Sequence, residues 1–272
     1  MYGLSTINIE LTSRCNKPGS GCFMCGRRKL ERDYPEKCDF GDMPFEMVIK
    51  IAMQVPAGVV VQFHWNGEPL LYPQLGEALK MFDGCFRSLN TNGILLMEKR
   101  DEIVFGLETL VISIIQPDDQ QQRDVIVDFL KWKKTEFPLP KIIFRALGAD
   151  KWDLRNVVGL VKKAERHNCL FVPRILHDPM GSRNYEKSVT KPEIGVCLDL
   201  LHHLAIDRYG NVSPCVRFDP DGVHRIGNVN QDGLNDIWNS EVRKKMIQAH
   251  IAGKRDDILL CSQCEYWGCP GG

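Results

Sequence analysis

The stretch from Ile7 to Cys25, INIELTSRCNKPGSGCFMC, constrains this chain more than any other. Its first half, Ile7 to Leu11, alternates apolar and polar residues with the period of two that a strand requires. Its second half is rich in Asn, Pro, Gly and Ser, which interrupt regular structure. The pattern predicts a strand running straight into a loop that carries Cys15, Cys22 and Cys25. Three thiolates on one loop can wrap one side of a metal centre and leave a coordination position open to a reactant, as a catalytic iron–sulfur cluster requires. Structural zinc closes with four ligands, and Cys38 could supply the fourth. Taken alone, the triad leaves iron–sulfur, zinc and a disulfide open.

The chain has 272 residues, enough for one large domain or one domain with an appendage. It shows no basic stretch followed by an apolar one at its start and no apolar run approaching the ~20 residues of a membrane span, so a cytoplasmic protein without membrane contact is expected. In that reducing setting its eleven cysteines point to metal ligation rather than disulfides. They cluster accordingly: three in the first loop, five from Cys197 onward, and only Cys38, Cys85 and Cys169 between. Basic and acidic residues balance at 35 each, which gives no field to attract nucleic acid and leaves small neutral or mixed-charge substrates as the default.

Beyond the triad, Arg27 to Asp42 reads as a loop or short helix. Strands are expected at Val59–Phe63, Phe86–Leu89, Thr109–Ile115, Lys141–Phe144 and Leu170–Ile175, with helices at Pro44–Val55, Leu75–Phe82, Leu95–Phe105, Asp119–Lys134 and Asp153–His167. Six strands alternating with helices predict an α/β fold with a parallel sheet, and six units rather than eight favour a partial (β/α)6 TIM-like barrel. Reactive groups in such folds sit on loops at the C-terminal strand ends, where the cysteine triad, Glu68, Asn92 and Arg145 are expected to meet.

Two turns and a strand serine then carry a family resemblance. The second strand leads into His64-Trp65-Asn66-Gly67-Glu68-Pro69, the third into Thr91-Asn92-Gly93, and the fourth contains Ser113. Read by themselves, these are tight turns using Gly, Pro and Asn, and a strand serine. Together with the triad they resemble the radical S-adenosylmethionine (SAM) superfamily, whose commonest spacing is C-x3-C-x2-C. Here six residues separate Cys15 from Cys22, Met24 stands at the usual aromatic position, and Asn66 replaces the first glycine of the GGEP motif. The resemblance implies a [4Fe-4S] cluster on Cys15, Cys22 and Cys25, with SAM bound by Gly67, Glu68, Asn92, Ser113 and Arg123.

From Asp178 the pattern changes to a Gly, Pro and Asn loop, which predicts domains at 1–178 and 179–272. CLDLLHHLAIDRYGNVSPC follows, with HLAI and VSPC as the arms of a hairpin around Asp207–Asn211, then a helix over Glu241–Ala249 and a closing Cys261-Ser262-Gln263-Cys264. Cys-x2-Cys plus two cysteines from a hairpin supplies four ligands for a filled cluster or a zinc ribbon. This half resembles the SPASM and twitch extensions of radical SAM enzymes. It implies one auxiliary [4Fe-4S] cluster on Cys197, Cys215, Cys261 and Cys264, with Cys269 a substitute ligand or a free thiol.

The resemblance as a whole implies an enzyme that cleaves SAM to a 5′-deoxyadenosyl radical, abstracts hydrogen from a small-molecule substrate and oxidises it, similar to a small aminocyclitol dehydrogenase. A peptide-modifying maturase or epimerase of the same superfamily is the first alternative, and a zinc-binding module without catalysis is the alternative of another class. Flavodoxin or ferredoxin is the expected electron donor. Arg145 is the candidate catalytic residue, with His64, Trp65, Arg174 and His177 as further candidates at the barrel mouth.

Overall fold

The computed structural model describes residues 1–17, 25–114, 119–133, 137–147, 154–174 and 195–264. Six parallel strands are built as expected: β1 (Thr6–Ile9), β2 (Val60–Phe63), β3 (Phe86–Thr91), β4 (Thr109–Ile114), β5 (Lys141–Leu147) and β6 (Leu170–Arg174). Between them run α1 (Gly26–Asp33), α2 (Phe45–Ala52), α3 (Leu75–Lys80), α4 (Arg100–Gly106), α5 (Gln120–Lys133) and α6 (Leu154–Arg166). The charged segment after the triad therefore begins as a helix, α1, which runs through Asp33.

A parallel strand covered by helices on both faces is apolar throughout, whereas these strands alternate. Ile7, Ile9, Val61, Phe63, Leu89, Leu110, Ile112 and Phe144 lie buried in one core with Val48 and Ile51 of α2, Leu75 and Leu79 of α3 and Phe129 of α5. The register sets Asn8 opposite Gln62, Gln62 opposite Ser88, and Ser113 opposite Arg145, all on the other face. The sheet thus turns an apolar side to the helices and a polar side to the barrel interior. Arg145 belongs to that interior. The fifth strand was expected to stop at Phe144, yet it runs to Leu147, because a long cation on the polar face does not interrupt a strand.

The hairpin forms as predicted from β7 (His203–Ile206) and β8 (Asn211–Ser213), with Gly210 at φ +82° in its turn. Its place was not predicted. β7 pairs in parallel with β1, Thr6 opposite His203 through Ile9 opposite Ile206, and β9 (Gly227–Asn228) follows β8. One nine-stranded sheet results, in the order β6-β5-β4-β3-β2-β1-β7-β8-β9. A partial barrel leaves the outer edge of β1 unpaired, and the wholly buried β7 covers it. The expected domain boundary at 178 falls outside the described residues. The C-terminal part adds α7 (Leu198–His202), α8 (Leu234–Trp238), α9 (Glu241–Ile251) and α10 (Leu259–Ser262). Among the described residues no helix is long and apolar enough to cross a membrane.

Candidate iron–sulfur and SAM site

Cys15 lies beyond the end of β1, and Cys25 sits immediately before α1. Cys22 lies outside the described residues. Burial raises the Cys15 thiol above its ordinary range, and Glu68, Arg27 and Cys25 are close enough to act on it electrostatically.

The turn after β2 is pressed against this loop. Glu68 N donates to Arg14 O at 2.7 Å, and a Cβ at Gly67 would stand 2.0 Å from Thr12 O, so only glycine fits there. The Glu68 carboxylate is 2% exposed. Its Oε1 accepts from Thr91 Oγ1 at 2.7 Å and from Leu70 N at 3.1 Å, while Oε2 accepts from Asn92 N at 2.7 Å. Burial pushes its pKa up to about 7 against the pull of those hydrogen bonds. Asn92 is the centre of the cluster: its Nδ2 donates to Asn16 Oδ1 at 2.8 Å, within the cysteine loop, and its carbonyl accepts from Gln122 Nε2 at 2.6 Å.

Gln122 was not among the expected residues. It is 1% exposed on α5, and its Nε2 also donates to Ser113 O at 2.9 Å, tying α5 to the ends of β3 and β4. Arg123, the expected SAM-carboxylate partner, sets its guanidinium toward α6, 4.0 Å from where a Cβ on Gly159 would sit. A second unexpected residue, the cation Lys17, is buried in the cysteine loop and pairs with Asp119 at 3.3 Å. A polar residue on the buried side of α5 is the one sequence signal that marks Gln122.

Inside the barrel, burial, helped by the nearby Arg145 cation, brings the pKa of His64 down to about 4. It is a neutral imidazole at pH 7. Glu10, one residue past β1, accepts from Asn66 N at 3.3 Å and Arg208 N at 3.2 Å, and burial raises its pKa to about 7. Trp65 is partly buried. The Arg174 side chain and His177 lie outside what is described.

The second cysteine group draws on three segments. Cys197 precedes α7, Cys215 follows β8, Cys261 lies in α10, and Cys264 is two residues past its end. Cys197 and Cys261 act on the buried Cys215 thiol, which lies well above its ordinary range chiefly through burial. Cys261 is pushed up to about 12 by burial and then by Cys197 and Cys264. Thiols gathered in this way, with Cys215 and Cys261 raised in part by their cysteine neighbours, are a fitting set for soft, multiply charged metal, which replaces the protons they hold. Among the described residues no three donor groups close to the spacing of a single ion. Cys269 lies outside the described residues.

A family model for SPASM, an iron–sulfur cluster-binding domain, matches residues 197–265, a segment that contains all four of these cysteines. The C-terminal part is a SPASM domain. Among solved structures, BtrN in complex with AdoMet and 2-DOIA is similar at a TM-score of 0.63 and 19% identity, covering 96% of this chain and 93% of that one. Streptococcus suis SuiB bound to precursor peptide SuiA is similar at 0.64 and 14% identity, covering 93% of this chain and 67% of that one. The partial barrel carrying a SPASM domain is thus the fold expected from the radical SAM resemblance. No curated protein sequence matches the chain.

Proposed function

We propose that the chain is a radical SAM oxidoreductase that removes hydrogen from a small polar molecule held inside the barrel. The reading is carried by one observation: the turns after β2 and β3 and the loop bearing Cys15 are hydrogen-bonded to one another through Glu68, Asn92 and Asn16. Strand-end loops of a β/α barrel are where reactive groups gather. SAM together with a reduced cluster on Cys15, Cys22 and Cys25 supplies a 5′-deoxyadenosyl radical able to abstract hydrogen from an unactivated carbon.

This chain's residues have separate tasks in that reading. Gly67 lets the turn after β2 approach the backbone before Cys15, and Glu68 and Asn92 hold the surrounding loops rigid, with Ser113 on the adjoining strand. Arg123 is assigned to the SAM carboxylate. Arg145 offers a cation to a polar substrate beside the neutral His64. Cys197, Cys215, Cys261 and Cys264 would hold a second cluster able to accept the electron that a two-electron oxidation must shed. Flavodoxin or ferredoxin is the assigned electron donor.

A peptide substrate is the second reading, favoured by the likeness to SuiB with its precursor peptide bound. One assay addresses the core of the proposal. Protein reconstituted anaerobically with iron and sulfide, reduced and given SAM, is expected to be brown and to release 5′-deoxyadenosine. Colourless protein that releases none makes the zinc-binding module the better reading.

A further inference from the structure

We infer that His224, with Arg217, is a hydrogen-bond donor to the cysteine sulfurs of the SPASM site and raises the reduction potential of the cluster held there. The inference rests on the proposed auxiliary cluster and adds to it residues that no cysteine pattern contains.

The His224 ring spans two cysteine-bearing segments. Its Nδ1 lies 3.6 Å from Cys215 Sγ, beyond β8, and its Nε2 lies 3.5 Å from Cys261 Sγ, in α10. The residue is 5% exposed. It is held from behind by Asp219, whose carboxylate accepts from Val223 N at 3.0 Å and from His224 N at 2.9 Å, fixing the loop that delivers the ring. Arg217, two residues past Cys215, reaches a third sulfur: Nη1 is 3.4 Å from Cys264 Sγ, and Nη2 donates to Gln263 O at 3.5 Å. Three of the four cysteines are therefore addressed by N–H-bearing side chains from one short stretch between β8 and β9.

The physics of such contacts is one-directional. A neutral imidazole carries one N–H and one lone pair, so whichever tautomer is present it donates to one of the two sulfurs. The guanidinium has donors only. Donors and positive charge beside metal-bound thiolates draw off electron density and favour the state with the extra electron, which raises the potential. For a site assigned to receive an electron from a substrate radical, that is the useful direction.

The test uses the full-length chain reconstituted with iron and sulfide, with Cys15→Ala in the background so that the SPASM cluster alone is titrated. Iron content and the midpoint potential, followed by electron paramagnetic resonance, are read for His224→Phe, His224→Asn and Arg217→Met. His224→Phe and Arg217→Met are expected to retain iron and sulfide and to move to lower potential. A tenfold shift in the oxidised-to-reduced ratio at the original midpoint corresponds to about 59 mV for one electron. His224→Asn, which keeps an N–H, is expected to recover part of the shift. Unchanged potentials in the phenylalanine and methionine variants overturn the assignment, as does equal loss of iron in both His224 variants, which marks a ligand or a structural residue instead. If the background protein takes up no iron and sulfide at all, the auxiliary-cluster reading itself fails and the inference falls with it.

Discussion

Asn92 N donates to Glu68 Oε2 at 2.7 Å, so the turn after β3 hangs from the carboxylate at the turn after β2. Thr91 donates to the same carboxylate's other oxygen at 2.7 Å, and Glu68's own N–H is spent on Arg14 O. Neighbouring strand exits and the cysteine loop are thus one hydrogen-bonded unit before any cofactor arrives. The family resemblance implies a SAM-binding role for Glu68; in the structure its carboxylate holds together the turns after β2 and β3.

The first prediction follows from that double use. Glu68→Gln keeps one acceptor oxygen and turns an amide N–H₂ toward a group that already donates. It is expected to lower stability by roughly 1–3 kcal/mol and to weaken SAM binding about tenfold or more. Urea unfolding and calorimetric titration with SAM measure the two effects separately. A variant with both values unchanged would leave the turn as mere chain reversal.

The second prediction concerns two glycines with opposite constraints. At Gly67 a Cβ would meet Thr12 O at 2.0 Å and Arg14 O at 2.8 Å, while Gly58 has φ +82° with nothing within 4 Å of its Cβ position. Gly67→Ala must push backbone apart and is expected to cost about 3 kcal/mol or more. Gly58→Ala meets only left-handed strain, about 1–2 kcal/mol. Urea midpoints of the two variants decide it, and equal losses would contradict the close approach.

Much of this was legible in the sequence for a physical reason. Six strands alternating with helices called for a partial barrel, and short polar turns fixed where Gly67, Asn92 and Gly210 lie. What escaped was set by distance in the chain. β7 seeks the free edge of β1, nearly two hundred residues away, and no local pattern names its partner. Gln122 and His224 are single polar residues without periodicity, and each gains meaning only when a strand end or a pair of cysteines is brought beside it. Arg145 was placed at a strand end because a charge looks like a terminus, whereas on an interior face it is an ordinary alternate position.

The third prediction is a pair of opposed pH slopes. Glu10 rises from 4.5 to about 7 on folding, so the folded chain holds a proton that the unfolded chain has released; its contribution is complete below pH 4.5 and is lost as pH rises through about 7. His64 falls from 6.5 to about 4, so its contribution is complete above pH 6.5 and is lost as pH falls through about 4. Between these limits the two oppose each other, each a few kcal/mol at most at roughly 1.4 kcal/mol per pH unit. Relative to the unmodified chain, with Glu68 common to both, Glu10→Gln is expected to tilt stability downward toward acid and His64→Gln to tilt it downward toward neutral pH. Urea midpoints from pH 4.5 to 7.5 supply the slopes, and parallel slopes in the two variants would refute the assignment.

The fourth prediction separates the two cysteine sites by their products. A hydrogen atom taken from a substrate carbon leaves one unpaired electron, and oxidation is complete only when that electron finds an acceptor; a cluster with all its ligands can take it without exchanging any. Cys15→Ala is therefore expected to abolish 5′-deoxyadenosine formation. Cys261→Ala and Cys264→Ala are expected to retain it while losing oxidised product, because they disturb only the SPASM site. Because α10 packs against the helical turn at Arg255–Asp257 and touches His224 through Cys261, circular dichroism on each variant is used to establish that the barrel is intact. A folded Cys264→Ala protein that converts substrate at the wild-type rate would show that the electron never enters the SPASM site. A redox-neutral reaction, such as an epimerisation in which the radical regains a hydrogen atom, would then account for the same barrel.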